Sequence, residues 1–197
     1  MSEGECPETF VTDRLLAERL TTGHYDALLR MHQDAVQMAA LGGVRDEQQT
    51  LTYMDRHLQH WLDFGFGMWI LRDRESMDVA GRALLRHVWL AGQDEVEVGY
   101  SFHPAYWGRG LATEIATACV QLAFVTLHLP SVVALTLPTN VASQRVMSKA
   151  GLSFEREIIH DGLLHVLFRK TFIKRNGAWR AVGWQATKMA IGDGNER

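Results

Sequence analysis

The chain has 197 residues, 47% of them hydrophobic and 22% charged, with a formal net charge of −3 at pH 7. That length and apolar content suit one domain with a sizeable core, and the mildly acidic balance gives no electrostatic footprint for a nucleic-acid partner. Two cysteines, Cys6 and Cys119, far apart in the sequence, argue against a disulfide framework and for a reducing, cytoplasmic setting.

Residues 1–9 are acidic and have no apolar run, so they do not read as a signal peptide, and residues 1–11 are taken as an N-terminal arm. A first strand is expected over residues 14–20. Thr21 or Thr22 then caps a helix running to about residue 34, with Tyr25, Leu28, Leu29 and His32 on one face. Gly42-Gly43 breaks the chain. Asp46 caps a second helix reaching about residue 63, whose predicted buried stripe is Leu51, Met54, Leu58, Trp61 and Leu62. Strands follow near residues 67–72, 79–90 and 96–102, joined by hairpin loops at 73–76 and 91–94.

A long helix is expected over about residues 110–127, with Ile115, Cys119, Leu122 and Phe124 at apolar positions, and Pro130 ends it. Residues 132–137 form a β-branched run of the kind found in buried strands. The apolar stretch 120–137 is broken by Gln121, His128 and Pro130, so it is not read as a membrane span. A short helix over 140–150 stops at Gly151, and strands follow near 153–160 and 163–170. This order predicts a mixed α/β (α+β) fold: about seven strands in a mostly antiparallel sheet with about four helices. Residues 171–197 form a C-terminal extension that carries a hairpin signal at Asn176-Gly177, with Trp179, Trp184 and Met189 around it. It can extend a strand, cover an edge or serve a dimer contact, so monomer and homodimer both stay open.

The most informative run is Tyr106-Trp107-Gly108-Arg109-Gly110-Leu111-Ala112-Thr113-Glu114, where an extended segment turns into a helix. Unencumbered backbone at Gly108 and Gly110, and nearly so at Ala112, lets amides crowd at a helix N-terminus and meet an anion closely. The helix end supplies roughly 0.3–1 kcal/mol per negative charge. A plain strand-to-helix turn accounts for the glycines equally well. There is no GxxxxGK(S/T) run, and Thr113 stands where a dinucleotide fingerprint wants glycine or alanine.

Three features together make the chain resemble the GNAT superfamily of N-acetyltransferases, in particular its RimJ/RimL-like branch, which acetylates ribosomal-protein N-termini. They are Glu97-Val98-Gly99-Tyr100, the Tyr106–Glu114 run, and Asn140-Val-Ala-Ser143 leading to Lys149-Ala150-Gly151. The resemblance covers about residues 12–169, and residues 12–170 are taken as the acetyltransferase domain. It implies that the anion is the pyrophosphate of acetyl-coenzyme A, held by Trp107, Gly108, Arg109, Gly110, Leu111, Ala112 and Thr113. It also implies that the fourth and fifth strands of the fold, here near 96–102 and 132–137, are parallel and splay apart. The pantetheine arm then lies in the wedge against backbone of Ser101, Phe102 and His103, and a bulge at Gly99 is the expected cause of the split.

Acetyl transfer needs a neutral amine, an oriented thioester and a proton for the departing thiolate. An α-amino group has a pKa of about 7.7–8.0 and a lysine amine about 10.4, so only the latter demands a strong base. Glu97 is the candidate base, although a solvent-facing carboxylate is an equal reading and Glu95 has the same strand parity. Glu114 reads more simply as a carboxylate in a helix's first turn. Asn140, Ser143 and Met147 share one helix face. Within the family the third of these positions is often a proton-donating tyrosine. Methionine cannot do this, which leaves Ser143 to meet the sulfur and Asn140 to fix the pantetheine, with ordinary N-capping by Asn140 as the alternative.

His57 and His60 show no accompanying metal-ligand pattern, and no metal is expected. His87 and His103 are candidates for the acceptor side, Arg86 and Arg109 for phosphates, and Cys119 has no base to make it a nucleophile. The expected activity is transfer of acetyl from acetyl-CoA to a primary amine, a peptide or protein N-terminus in preference to a small amine. The alternative is a non-catalytic coenzyme A-binding or protein-interaction module.

Overall fold

The computed structural model of the protein describes residues 5–175 and 178–181. Eight strands lie side by side in the order β1 (Thr9–Val11), β2 (Leu15–Arg19), β3 (Met68–Asp73), β4 (Val79–Leu90), β5 (Gln93–Phe102), β6 (Ser131–Thr136), β8 (Leu163–Arg175) and β7 (Ser153–His160). A further strand, β9 (Ala178–Ala181), pairs with β8. Neighbours are antiparallel except β5 and β6, which run parallel and meet at one register position, Glu97 opposite Val133. The sheet is thus mixed and mostly antiparallel, and the pair expected to splay is the pair that parts.

Two strands were not foreseen. β1 pairs with β2, with Phe10 opposite Ala17. β9 sets Arg175 opposite Ala178. The turn residues Asn176-Gly177 expected between them lie outside the described residues, as do Trp184 and Met189.

The helices cover the two faces of the sheet. Under α4 (Leu111–Gln121) and α5 (Val141–Lys149), a core gathers Leu71, Leu85, Val96, Val98, Ile115 and Cys119. On the other face, α1 (Tyr25–Gln33) and α3 (Glu47–Phe64) pack Leu28, Met31 and Met54 onto Met68, Ile70 and Leu84. Strand alternation does the sorting: Val96 and Val98 point into the first core and Glu97 away from it. Among the described residues, no helix is long and apolar enough to cross a membrane.

The helix starts follow local chemistry. Thr21 opens a single 3-10 turn, Thr22–His24, and the α-helix proper begins at Tyr25. It ends at Gln33 because Asp34 turns extended and its carboxylate accepts from the backbone N–H of Val36 (2.9 Å) and Gln37 (2.8 Å), capping the short α2 (Ala35–Met38) instead. Asp46 caps α3 reciprocally: its carboxylate accepts from Gln49 N, and the Gln49 side chain accepts from Asp46 N. The buried stripe of α3 differs from the predicted one. It is Thr50, Met54, His57 and Trp61, while Leu51 and Leu62 face outward. Thr50 is held inside by a 2.9 Å hydrogen bond to His32 Nδ1, so two polar residues occupy positions that an apolar pattern skips.

The long helix also changes character: α4 gives way at Leu122–Thr126 to a π-helical turn. No bulge marks β5. Its pairing with β4 runs without a shift from Leu90–Gln93 to Gly81–Phe102. Gly99 instead answers to close packing, since a Cβ there would sit 3.0 Å from Leu84 Cδ1.

Candidate active site

Where β5 and β6 part, the sheet opens into a cleft of about 580 Å3. Glu97, Gly99 and Ser101 line it from β5, Leu135 and Thr136 from β6, and Asn140, Ser143 and Met147 from the start and inner face of α5. The opposite wall comes from β4 and α3, through Arg82, Arg86 and Tyr53. Residues expected to act together from sequence (Glu97, Asn140, Ser143, Ser101) therefore do share one cavity.

Glu97 is nearly buried, at 9% exposure. Arg86, directly across the β4–β5 ladder, brings Nε to 2.7 Å from Glu97 Oε2, with Nη2 also at 2.7 Å from the same oxygen. The Arg86 guanidinium is pushed above its ordinary value, chiefly by the Glu97 charge. Both contacts use Oε2, so Oε1 has no hydrogen-bond partner among the described residues and is the oxygen available to the cleft. Glu95, the rival by parity, is occupied: Arg169 holds both its oxygens, at 2.7 and 2.9 Å.

The α5 end of the cleft is built from its cap. Asn140 Oδ1 accepts from Ser143 N at 3.1 Å, the ordinary capping bond, and leaves the side-chain amide group over. Ser143 Oγ lies 3.1 Å from the Tyr100 hydroxyl, which is also 3.2 Å from the Ser143 carbonyl. Burial drives the Tyr100 phenol up to about 12. Tyr100 stands in the Glu97–Tyr100 motif, but its partner Ser143 comes from α5, which meets β5 only through the tertiary fold, so the sequence alone gives Tyr100 no role. Met147 is buried at 2% exposure and closes the cleft floor without a proton to give.

At the turn into α4, Gly108 (φ 74°) and Gly110 (φ 79°) both adopt left-handed backbone, which glycine takes without penalty. Gly110 is the N-cap and offers no side chain, and the Gly110 carbonyl accepts from Thr113 N and Glu114 N. The amides of Leu111 and Ala112 have no acceptor among the described residues. Such a terminus is equipped to hold an anion.

Side chains brace the turn. Trp107 Nε1 donates to the Phe102 carbonyl at 2.8 Å. Arg109 donates to Asp73 Oδ2 at 3.1 Å, and its carbonyl accepts from Arg14 at 2.7 Å. Arg14 and Thr12 converge on Glu114, whose carboxyl they hold below its usual range against the opposing effect of burial. Arg14, unremarked in the sequence, thus sets a guanidinium beside Gly110.

His103 departs from expectation. Its N–H donates to the Ala80 carbonyl at 2.9 Å and its carbonyl accepts from Tyr106 N, so its amide is not open to a pantetheine group. The Phe102 carbonyl is likewise taken by Trp107, so the part of β5 that lines the cleft ends at Ser101. His87 also lies away from the cleft, packed on Phe64 and bonded to Asp94 at 2.9 Å. His60 accepts from His87 N and donates to the Phe66 carbonyl, which fixes its neutral tautomer. His57 is fully enclosed and pushed down to about 2, mainly by burial. Cys119 lies in the core with its thiol pushed far up by burial, an inert position.

Comparison with known proteins agrees with this geometry. Residues 14–153 match the acetyltransferase (GNAT) domain family. The uncharacterised protein YkkB of Bacillus subtilis is 29% identical over 121 residues, covering 61% of this chain and 70% of that one. An acetyltransferase structure from Agrobacterium tumefaciens superposes with a TM-score of 0.72 at 26% identity, over 82% of this chain and 92% of the other. RimL, a ribosomal α-N-protein acetyltransferase solved in complex with coenzyme A, shares the fold at a TM-score of 0.66 and 13% identity, over 82% and 96% of the two chains. The chain belongs to the GNAT acetyltransferase family and is an acetyltransferase.

Proposed function

We propose that the protein transfers acetyl from acetyl-CoA directly to a primary amine, with an α-amino group preferred to a lysine side chain, in the manner of the RimJ/RimL-like branch. The observation that carries the reading is the parting of β5 from β6 immediately beyond Glu97, with a carboxylate on one wall and Ser143 on the other. The pyrophosphate sits on the amides of Gly108 to Ala112, beside Arg14. The pantetheine arm enters the wedge along β5 as far as Ser101, as a missing strand would. That RimL, which shares the fold, was solved in complex with coenzyme A supports coenzyme A as the ligand.

The amine nitrogen attacks the thioester carbon, and its proton passes to Glu97 Oε1, directly or through water. Collapse of the tetrahedral intermediate breaks the carbon–sulfur bond. The Ser143 hydroxyl, backed by Tyr100 at 3.1 Å, donates a hydrogen bond to the departing thiolate. The thiolate then takes its proton from solvent, while Glu97 returns the amine's proton to solvent. Asn140 keeps Ser143 in place through its cap. An α-amino group at neutral pH gives up its proton for about 1 kcal/mol, so orientation of the reactants supplies most of the rate.

Thiol release from acetyl-CoA, measured across a panel of peptides and small amines, tests the reading. Release that depends on a free amine is expected. Acetyl-CoA binding with no release for any amine would instead mark a binding module.

A further inference from the structure

The acceptor wall of the cleft carries an unusual charge. Four arginines line the cavity, Arg45, Arg56, Arg82 and Arg86, against two carboxylates, Glu97 and Asp161, and Glu97 is already engaged by Arg86. None of Arg45, Arg56 and Arg82 has a carboxylate partner among the described residues. Arg82 is the telling one. It is 6% exposed, and among the described residues its guanidinium bonds only the Tyr53 hydroxyl. Its Cζ lies 4.8 Å from the centre of the Tyr53 ring, and Arg45 Cζ lies 5.1 Å from the same ring.

A buried guanidinium without a counter-ion is costly, and so is a second beside it. Burial first, and then the charges of Arg82 and Arg45, drive His32 down to about 3, so that histidine adds nothing to compensate. Burial and Arg82 likewise pull the Arg45 guanidinium below its ordinary value.

An amine that reaches this wall as a bare cation is repelled. The phosphates of acetyl-CoA do not answer the charge, because none of residues 107–113 lines this cavity. Building on the acetyl-transfer reading, we infer that the acceptor is an amine that also carries an anionic group, a carboxylate held by Arg82 and its neighbours while the amine faces Glu97. Guanidinium–carboxylate pairing is the strong, oriented form of such recognition. Tyr53, clasped between two guanidiniums, fixes their spacing.

The test reads binding apart from turnover. With coenzyme A present, calorimetry compares N-acetyl-seryl-aspartyl-glutamate with its uncharged isostere N-acetyl-seryl-asparaginyl-glutamine amide, and with N-acetylaspartate. The acidic peptide or N-acetylaspartate should bind about tenfold tighter than the neutral peptide, one charge-assisted contact's worth. Preference for the peptide assigns the anion to a chain N-terminus, and equal binding of N-acetylaspartate assigns it to a small amino acid. Arg82→Gln should erase the advantage, and so in part should Arg56→Gln, an exposed position that leaves the fold unthreatened. Equal affinity for the acidic and neutral ligands, or a preference untouched in both variants, would overturn the inference. Failure of the acetyl-transfer reading has a different mark: no thiol release with any amine while the acidic preference persists.

Discussion

In the proposed reading, Gly110 is the residue on which cofactor binding turns. Its φ of 79° and its place as N-cap leave the first amides of α4 bare, so Gly110→Glu sets a side chain and a negative charge where the pyrophosphate is proposed to lie. Acetyl-CoA affinity should fall by at least about tenfold in calorimetry, with the fold intact by circular dichroism; unchanged affinity would remove the turn from the site. Glu97→Gln should lower the rate most at low pH, where fewer amines are neutral, and should recover partly as pH rises toward the amine pKa. A pH–rate profile parallel to the parent's would remove Glu97 as base. Ser143→Ala should reduce turnover more than acetyl-CoA affinity, and Tyr100→Phe should do the same to a smaller degree. That Glu97, Asn140 and Ser143 line one cleft was legible from strand parity, helix spacing and the family resemblance taken together. Tyr100, Arg14 and Arg82 were not, since each gains its partner across the fold: Ser143, Glu114 and Tyr53 respectively.

At the scale of elements, hydrophobic alternation and turn residues located the seven strands β2 to β8, but not every end. β5 begins at Gln93, inside the expected loop, and β8 continues to Arg175, where pairing with neighbouring strands extends it. Helix faces were harder. The α3 stripe includes Thr50 and His57 because His32 and Tyr53 give them buried neighbours, and no apolar count would choose them over Leu51 and Leu62. The end of α1 near residue 34 was expected, but the short α2 was not, because it depends on the Asp34 carboxylate taking the next amides. The strands β1 and β9 are short edge pieces that their partners β2 and β8 stabilise. The caps themselves are testable. Asp46→Ala breaks the reciprocal cap of α3 and should lower unfolding free energy by about 1 kcal/mol in a denaturant titration, while an unchanged midpoint would show that the cap contributes nothing. Met54→Ala, about two turns beyond the cap on the buried stripe, should cost about 2–5 kcal/mol in the same titration.

For the molecule as a whole, four histidines held below their ordinary value weaken the fold in mild acid, His32 and His57 most and His24 and His60 with the same sign. His32 and His57 are held down to about 3 and about 2 in the folded state, mainly by burial, from an ordinary value of 6.5. The unfolded chain therefore takes up protons that the folded chain refuses once pH falls below about 6.5. Stability is full above that value and declines on acidification, by about 2 kcal/mol for each of His32 and His57 between pH 7 and pH 5. Glu114 and Asp73, held low by their own partners, lose their contributions only at lower pH. A denaturation midpoint constant from pH 7 to pH 5 would contradict this. The fold as a whole brings together a cleft where β5 and β6 part, a turn with bare amides into α4 and a charged wall on β4 and α3, which the proposed function reads as wedge, anion site and acceptor side. The most direct test gives the protein acetyl-CoA and one peptide bearing both a free N-terminus and an internal lysine at pH 7, and locates the acetyl group by tandem mass spectrometry. Acetyl on the α-amine is the expected result; acetyl on the lysine side chain, or on neither amine, would contradict it.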